Sequence, residues 1–133
     1  MSRWCHVVGC LYIETFKETK GIKKYVENKI KDAPLITGSE ADADIFVNPL
    51  SGHNVSVWDR VKETKYQTCV AITIVGNLRD TENATVEMEI KNFIKYIEDL
   101  GFDIYYKSIS ISIYDTLLEK PIIIEDKEED YYG

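Results

Sequence analysis

YQTCVAITIVGNLRDTENAT, residues 66–85, changes character partway along. Its first half is dense in β-branched side chains and reads as a strand over 66–75. GNLRD, residues 76–80, reads as a polar corner. Beyond it the apolar positions change period: Val86, Ile90, Phe93, Ile94 and Ile97 fall three or four residues apart, on one face of a helix. That spacing predicts a helix over 84–100, with Asn83 or Thr85 as N-cap and Gly101 at the C′ position.

The flanking sequence repeats this pattern. WCHVVGCLYI, residues 4–13, is rich in strand-forming types, with Gly9 as a bulge or a point of close contact. In ETKGIKKYVENKIKD the apolar Ile22, Tyr25, Val26 and Ile30 form a helical stripe with lysines outside it, and Pro34 bars continuation. Strands are expected at 44–48, weakly at 55–58, and at 121–124, where Pro121 stands at a first or edge position. FDIYYKSISISIYD, residues 102–115, sets Ser108, Ser110 and Ser112 against Ile109, Ile111 and Ile113, so one face is core and the other small and polar. The order predicts an α+β fold: an antiparallel sheet with two helices on one face, in the β-α-β-β-α-β ferredoxin-like order plus an extra C-terminal strand. The opposite face is then solvated, as the serines suggest, or used for contact, as the nine tyrosines suggest. One domain is expected over 1–124, followed by an acidic tail over 125–133.

At 133 residues, 44% hydrophobic and 29% charged, the chain has the composition of a globular domain. No apolar run approaches the ~20 residues of a membrane span, and the N-terminal segment reads as a strand rather than a signal peptide, so an intracellular protein is expected. Cys5, Cys10 and Cys69 are odd in number and lack metal-finger spacing, which fits reduced core thiols. The net charge of −7 argues against binding duplex nucleic acid, where affinity comes from neutralising phosphates. EDKEED, residues 125–130, holds −4 of that charge and leaves the body nearly neutral.

Catalytic candidates are thin. His6 lies in a strand and His53 in a glycine-containing loop, neither with a partner nearby in sequence. Ser51-Gly52-His53 lacks the frame of a nucleophile elbow, and no phosphate-binding or dinucleotide fingerprint is present. Asp42 and Asp44 have the alternation to share a side of a strand, yet a solvated acidic loop explains them as well. No catalytic group, metal or cofactor is therefore expected.

A binding site has more support. TGSE at 37–40, PLSGHN at 49–54 and VGNLRD at 75–80 are loops of small residues that bring backbone amides close to a ligand. Arg79 adds a planar cation suited to phosphate, ahead of a helix N-terminus. Asp80 can accept from a hydroxyl or amine, Asn54 and His53 can read a base edge, and Phe46, Trp58 and Tyr66 are available for stacking. The plainer alternatives are that Arg79 pairs with Asp80 or Glu82, worth ~0–1 kcal/mol, that SGHN is only a turn, and that Phe46 and Trp58 are core.

WCHVVG, GSEADADIFVNPLSGHN and YQTCVAITIVGNLRD before a helix together resemble the Thoeris anti-defence "sponge" family of small bacteriophage and prophage proteins, over roughly residues 4–100. The resemblance implies a protein that sequesters a cyclic ADP-ribose isomer, made by a host immune TIR enzyme, without cleaving it, in the cytoplasm of the infected bacterium. It further implies homo-oligomers, from dimer to hexamer, and in some members additional sites for cyclic oligonucleotides. Ligand contacts would fall to Leu78, Arg79 at pyrophosphate and Asp80 at a polar edge, with Ser51, Gly52, His53, Asn54 and Phe46 from the neighbouring segments. A second basic residue would come from an adjacent subunit. The alternatives are an acidic inhibitor that binds a host defence effector as a protein partner and a small phosphodiesterase using His53 and aspartates.

Overall fold

The computed structural model describes residues 4–15, 21–50, 55–57, 65–113 and 121–126, with backbone alone at 55–57, 65–68 and 113. The elements in chain order are β1 (Trp4–Thr15), α1 (Ile22–Ile30), β2 (Asp44–Pro49), β3 (Val55–Val57), β4 (Lys65–Arg79), α2 (Asn83–Asp99), β5 (Asp103–Ile113) and β6 (Ile122–Glu125). The fold is α+β, an antiparallel sheet ordered β2-β4-β1-β5-β6 with two helices, and β3 pairs with β4 beside this path. The element order β-α-β-β-β-α-β-β departs from the expected β-α-β-β-α-β with one added strand. The 15 residues of β4 give length for two consecutive partners on the same side: Asp44–Pro49 pair with 70–75, and Val55–Val57 pair with 65–67.

The strand predicted to end at residue 75 continues to Arg79. Val8, Val7, His6, Cys5 and Trp4 of β1 pair in turn with Val75, Gly76, Asn77, Leu78 and Arg79, so a partner distant in sequence holds the supposed corner extended. The turn is left to Asp80, whose φ of 56° is in the left-handed region that aspartate tolerates better than most residues.

Alternate residues of β1 (Cys5, Val7, Leu11 and Ile13) are buried in one cluster with Ile22, Val26 and Ile30 of α1 and with Val86, Ile90, Phe93, Ile94 and Ile97 of α2. Both helices therefore cover the same sheet face. The N-cap of α2 is Glu82, not Asn83 or Thr85, and it makes no side-chain capping bond. A cap is worth ~1 kcal/mol, whereas each of the five buried apolar side chains of α2 contributes ~1.5–3 kcal/mol. Packing decides, and Asn83 is left to accept from the buried Cys5 thiol at 3.3 Å. At the far end Gly101, with φ of 94°, follows the C-cap Leu100 as expected.

Gly9 is a close-contact point. A Cβ there would stand 2.4 Å from the Ile109 Cα. The irregularity in β1 pairing lies elsewhere, between Tyr12 and Ile13, where the facing residues step from Tyr106 to Ile104. This bulge shifts the alternation of β5. Phe102 and Ile104 pack against the core on even positions, Ile109 and Ile111 are buried on odd ones, and the consecutive Tyr105 and Tyr106 both lie against Tyr12. The sheet also takes in the first residues of the acidic segment: β6 includes Glu125, and the Lys107 N–H donates to the Asp126 carboxylate at 3.3 Å.

Candidate functional site

The end of β4, the start of β1 and the loop before β2 meet at Arg79. The Ser39 N–H donates to the Arg79 carbonyl at 2.9 Å, and Gly38 lies so close to the 78–79 backbone that a Cβ would stand 3.0 Å from the Arg79 nitrogen. Thr37 fastens the same loop to α2, donating to the Glu89 carboxylate from its N–H at 2.8 Å and from its hydroxyl at 2.6 Å. The 37–40 loop is thus tied to both the strand end and the helix, and the corner has fixed geometry.

Arg79 is paired with Trp4 across the ladder, and its guanidinium lies over the Trp4 ring, 5.8 Å from the centroid. It also donates to the Glu40 carboxylate, and its Nε is 3.5 Å from Asp80 Oδ2. The Ser39 hydroxyl donates to the same Asp80 oxygen at 3.3 Å. Among the described residues, one cation at this corner stands against the two carboxylates of Glu40 and Asp80. An anion entering it has to exchange with a carboxylate. Glu40 is the one to move, since its side chain is 57% exposed, whereas Asp80 also accepts from the Ser39 hydroxyl.

The sequence-derived candidates divide by position. Arg79 and Asp80 are at the corner. Leu78 is 1% exposed and part of the core, so its side chain is closed to a ligand. Phe46 is exposed but faces Thr73, six residues along β4 from Arg79, roughly 20 Å away at strand spacing. Ser51, Gly52, His53 and Asn54 lie outside the described residues. The chain on either side of them is at the other end of β4, where the Leu50 N–H donates to the Cys69 carbonyl and Val55 faces Gln67. The structure thus joins the first and third of the small-residue loops and separates both from the residues that flank the second. Trp4 and Glu40 were missed as site residues, because the 37–40 loop was taken for its backbone amides rather than for the Glu40 carboxylate, and nothing local links Trp4 to Arg79. Only the pairing of β1 with β4 brings Trp4 there.

No group of three or more His, Cys, Asp or Glu placed to hold a metal ion occurs among the described residues. Cys5 and Cys69 are buried, and none of the three cysteines is in a disulfide. No helix among the described residues is long and apolar enough to cross a membrane. A shallow cleft of about 280 Å3 lies elsewhere, between the C-terminal end of α1 and β2, lined by Ile30, Pro34, Leu35, Ile45 and Phe93. It is small for a nucleotide. No protein-family model, no curated protein and no solved structure matches this chain.

Proposed function

We propose that this chain is a non-enzymatic binding protein that captures a small phosphorylated ligand at the Arg79 corner and releases it unchanged. The observation that carries the reading is the guanidinium of Arg79, half-covered by Trp4 and the tethered 37–40 loop, immediately ahead of α2. Glu40 holds the cation until a phosphate arrives. An exposed ion pair of this kind is worth ~0–1 kcal/mol, so its displacement costs little beside a charge-assisted, two-pronged contact between arginine and phosphate, with each bond worth ~1.5–3 kcal/mol. Trp4 supplies a ring beside the cation. Asp80, fixed at the turn, is placed for a hydroxyl or an exocyclic amine.

The ligand class, a cyclic nucleotide such as a cyclic ADP-ribose isomer, comes from the sequence resemblance alone, as does the anti-defence role. Native mass spectrometry against a panel of cyclic nucleotides tests the ligand class, because the bound mass reports which class is held and its intact recovery separates sequestration from hydrolysis. Arg79→Ala removes retention while leaving the melting curve of the free protein close to that of the parent. Glu40→Gln removes the internal competitor and tightens binding severalfold. Retention unchanged in both variants takes the ligand away from this corner, and recovery of a linear product replaces the sponge with the phosphodiesterase.

A further inference from the structure

β2 is an outer strand of the sheet, and among the described residues β4 is its only partner strand. In an antiparallel ladder successive residues turn their N–H and C=O groups alternately toward the partner and away from it. The Leu50 N–H donates to the Cys69 carbonyl of β4 at 2.9 Å, one step beyond the pair of Pro49 with Val70, so the even positions of β2 bond to β4. The odd positions face outward. Ala43, just before the strand, donates its outward N–H to the Ile36 carbonyl at 2.8 Å. Ile45 and Val47 follow with an N–H and a C=O each, and no hydrogen bond to these groups is formed among the described residues. Strand edges are usually blunted by charge, by proline or by cover. Here the stretch Ile45–Asn48 carries no charge, and the cleft of about 280 Å3 opens beside it, with Ile45 and Val47 in one wall and Ile30, Pro34 and Leu35 in the other. Leu35 is 63% exposed.

We propose that this edge takes up an extended acidic segment of a partner protein as an added strand, with one large apolar side chain of the segment in the cleft. Backbone, anchor and charge each follow from a separate feature. Only an extended chain offers donors and acceptors at the spacing of Ile45 and Val47, which makes the contact a strand addition. The cleft beside them is apolar and has room for a single large side chain. Its α1 wall sets the charge: residues 22–32 hold Lys23, Lys24, Lys29 and Lys31 against Glu27 and Asp32, in a chain whose net charge is −7, and Lys31 lines the cleft. Residues two places from the anchor share its face and reach this wall, so the acids of the segment belong there. Asp44 and Phe46 turn to the opposite face of the sheet, where the segment is uncharged. The proposal does not rest on the ligand reading, since none of Trp4, Glu40, Arg79 and Asp80 lines the cleft.

Amide hydrogen exchange followed by NMR on the full chain tests the edge. The probe is a synthetic peptide of about nine residues, enough to run the length of β2, with a central phenylalanine, a glutamate two places to either side, and valine and threonine elsewhere. In the free chain the Phe46 and Asn48 amides are expected to exchange slowly and those of Ile45 and Val47 fast. The peptide is expected to slow Ile45 and Val47 by about tenfold or more. An analogue N-methylated along its backbone loses this protection, and one with alanine for the phenylalanine binds about tenfold more weakly. Lys31→Glu weakens the parent peptide severalfold, as does Leu35→Asp, both at exposed positions where the fold is retained. No added protection with the peptide overturns the proposal, as does binding that N-methylation or both variants leave unchanged. Slow exchange of Ile45 and Val47 in the free chain overturns it too: the edge is then already covered, by a second copy where the protection fades on dilution and by this chain itself where it does not.

Discussion

Tyr105 is a residue whose neighbours set a measurable property. Partial loss of water around the hydroxyl of this otherwise exposed side chain, a hydrogen bond with Cys69 and the charge of Glu14 together raise its pKa above the ordinary phenol range. A folded-state pKa above the unfolded one means that the stabilisation is complete below the ordinary phenol value of about 10 and is lost as pH rises past it. A spectrophotometric alkaline titration is expected to contain a late-ionising tyrosine fraction, and Tyr105→Phe to remove it. A parent curve without the late fraction contradicts this environment. Gly9 makes a second test. An alanine methyl at this position would stand 2.4 Å from the Ile109 Cα, so Gly9→Ala must push two central strands apart, and a loss of about 1–3 kcal/mol is expected in urea denaturation. The sequence marked Gly9 as special and Arg79-Asp80 as a pair to watch, since both signals are local. Glu40 over Arg79 was not legible, because the contact depends on a loop 39 residues away.

At the scale of elements, both helices were legible from their apolar period and β5 from its alternation of serine and isoleucine. The other strands were legible only from runs of strand-forming residues, with the weak strand at 55–58 left out of the expected order, and the ends of β4 were not legible. Its length comes from β1, and no local signal in Gly76-Asn77-Leu78-Arg79 announces an extended conformation. The bulge in β5 did leave a trace. Phe102 and Ile104 are even, Ile109 and Ile111 are odd, and a strand with period two cannot bury both sets without an extra residue between them. Removing Tyr105 therefore restores a regular ladder with both sets still on the core side. That deletion is expected to preserve cooperative thermal unfolding at a modest loss of stability. Removing Ser110 instead sets Ile109 and Ile111 on opposite faces of the sheet, and no cooperative transition is expected.

For the whole molecule, the sheet order governs how stability is distributed. β1 is paired on both sides along nearly its full length, whereas β6 is four residues long and, among the described residues, pairs with β5 alone. Native-state hydrogen exchange is expected to find the amides of β1 the slowest and those of β6 among the fastest. Comparable rates in the two strands would contradict this order. The sequence revealed the fold class because helix and strand periods alternate cleanly. It did not reveal which loops share an end of the sheet, a matter of register and topology on which the three-loop pocket depended. The central place of β1 has a further consequence during synthesis. β1 emerges before both of its partners, Lys65–Arg79 and Asp103–Ile113, so at ~5–20 residues per second it waits several seconds on the ribosome without its neighbours. Until β5 appears, WCHVVGCLYIET keeps an open edge, and a nascent chain of this protein is a natural client for chaperones that shield unpaired strands.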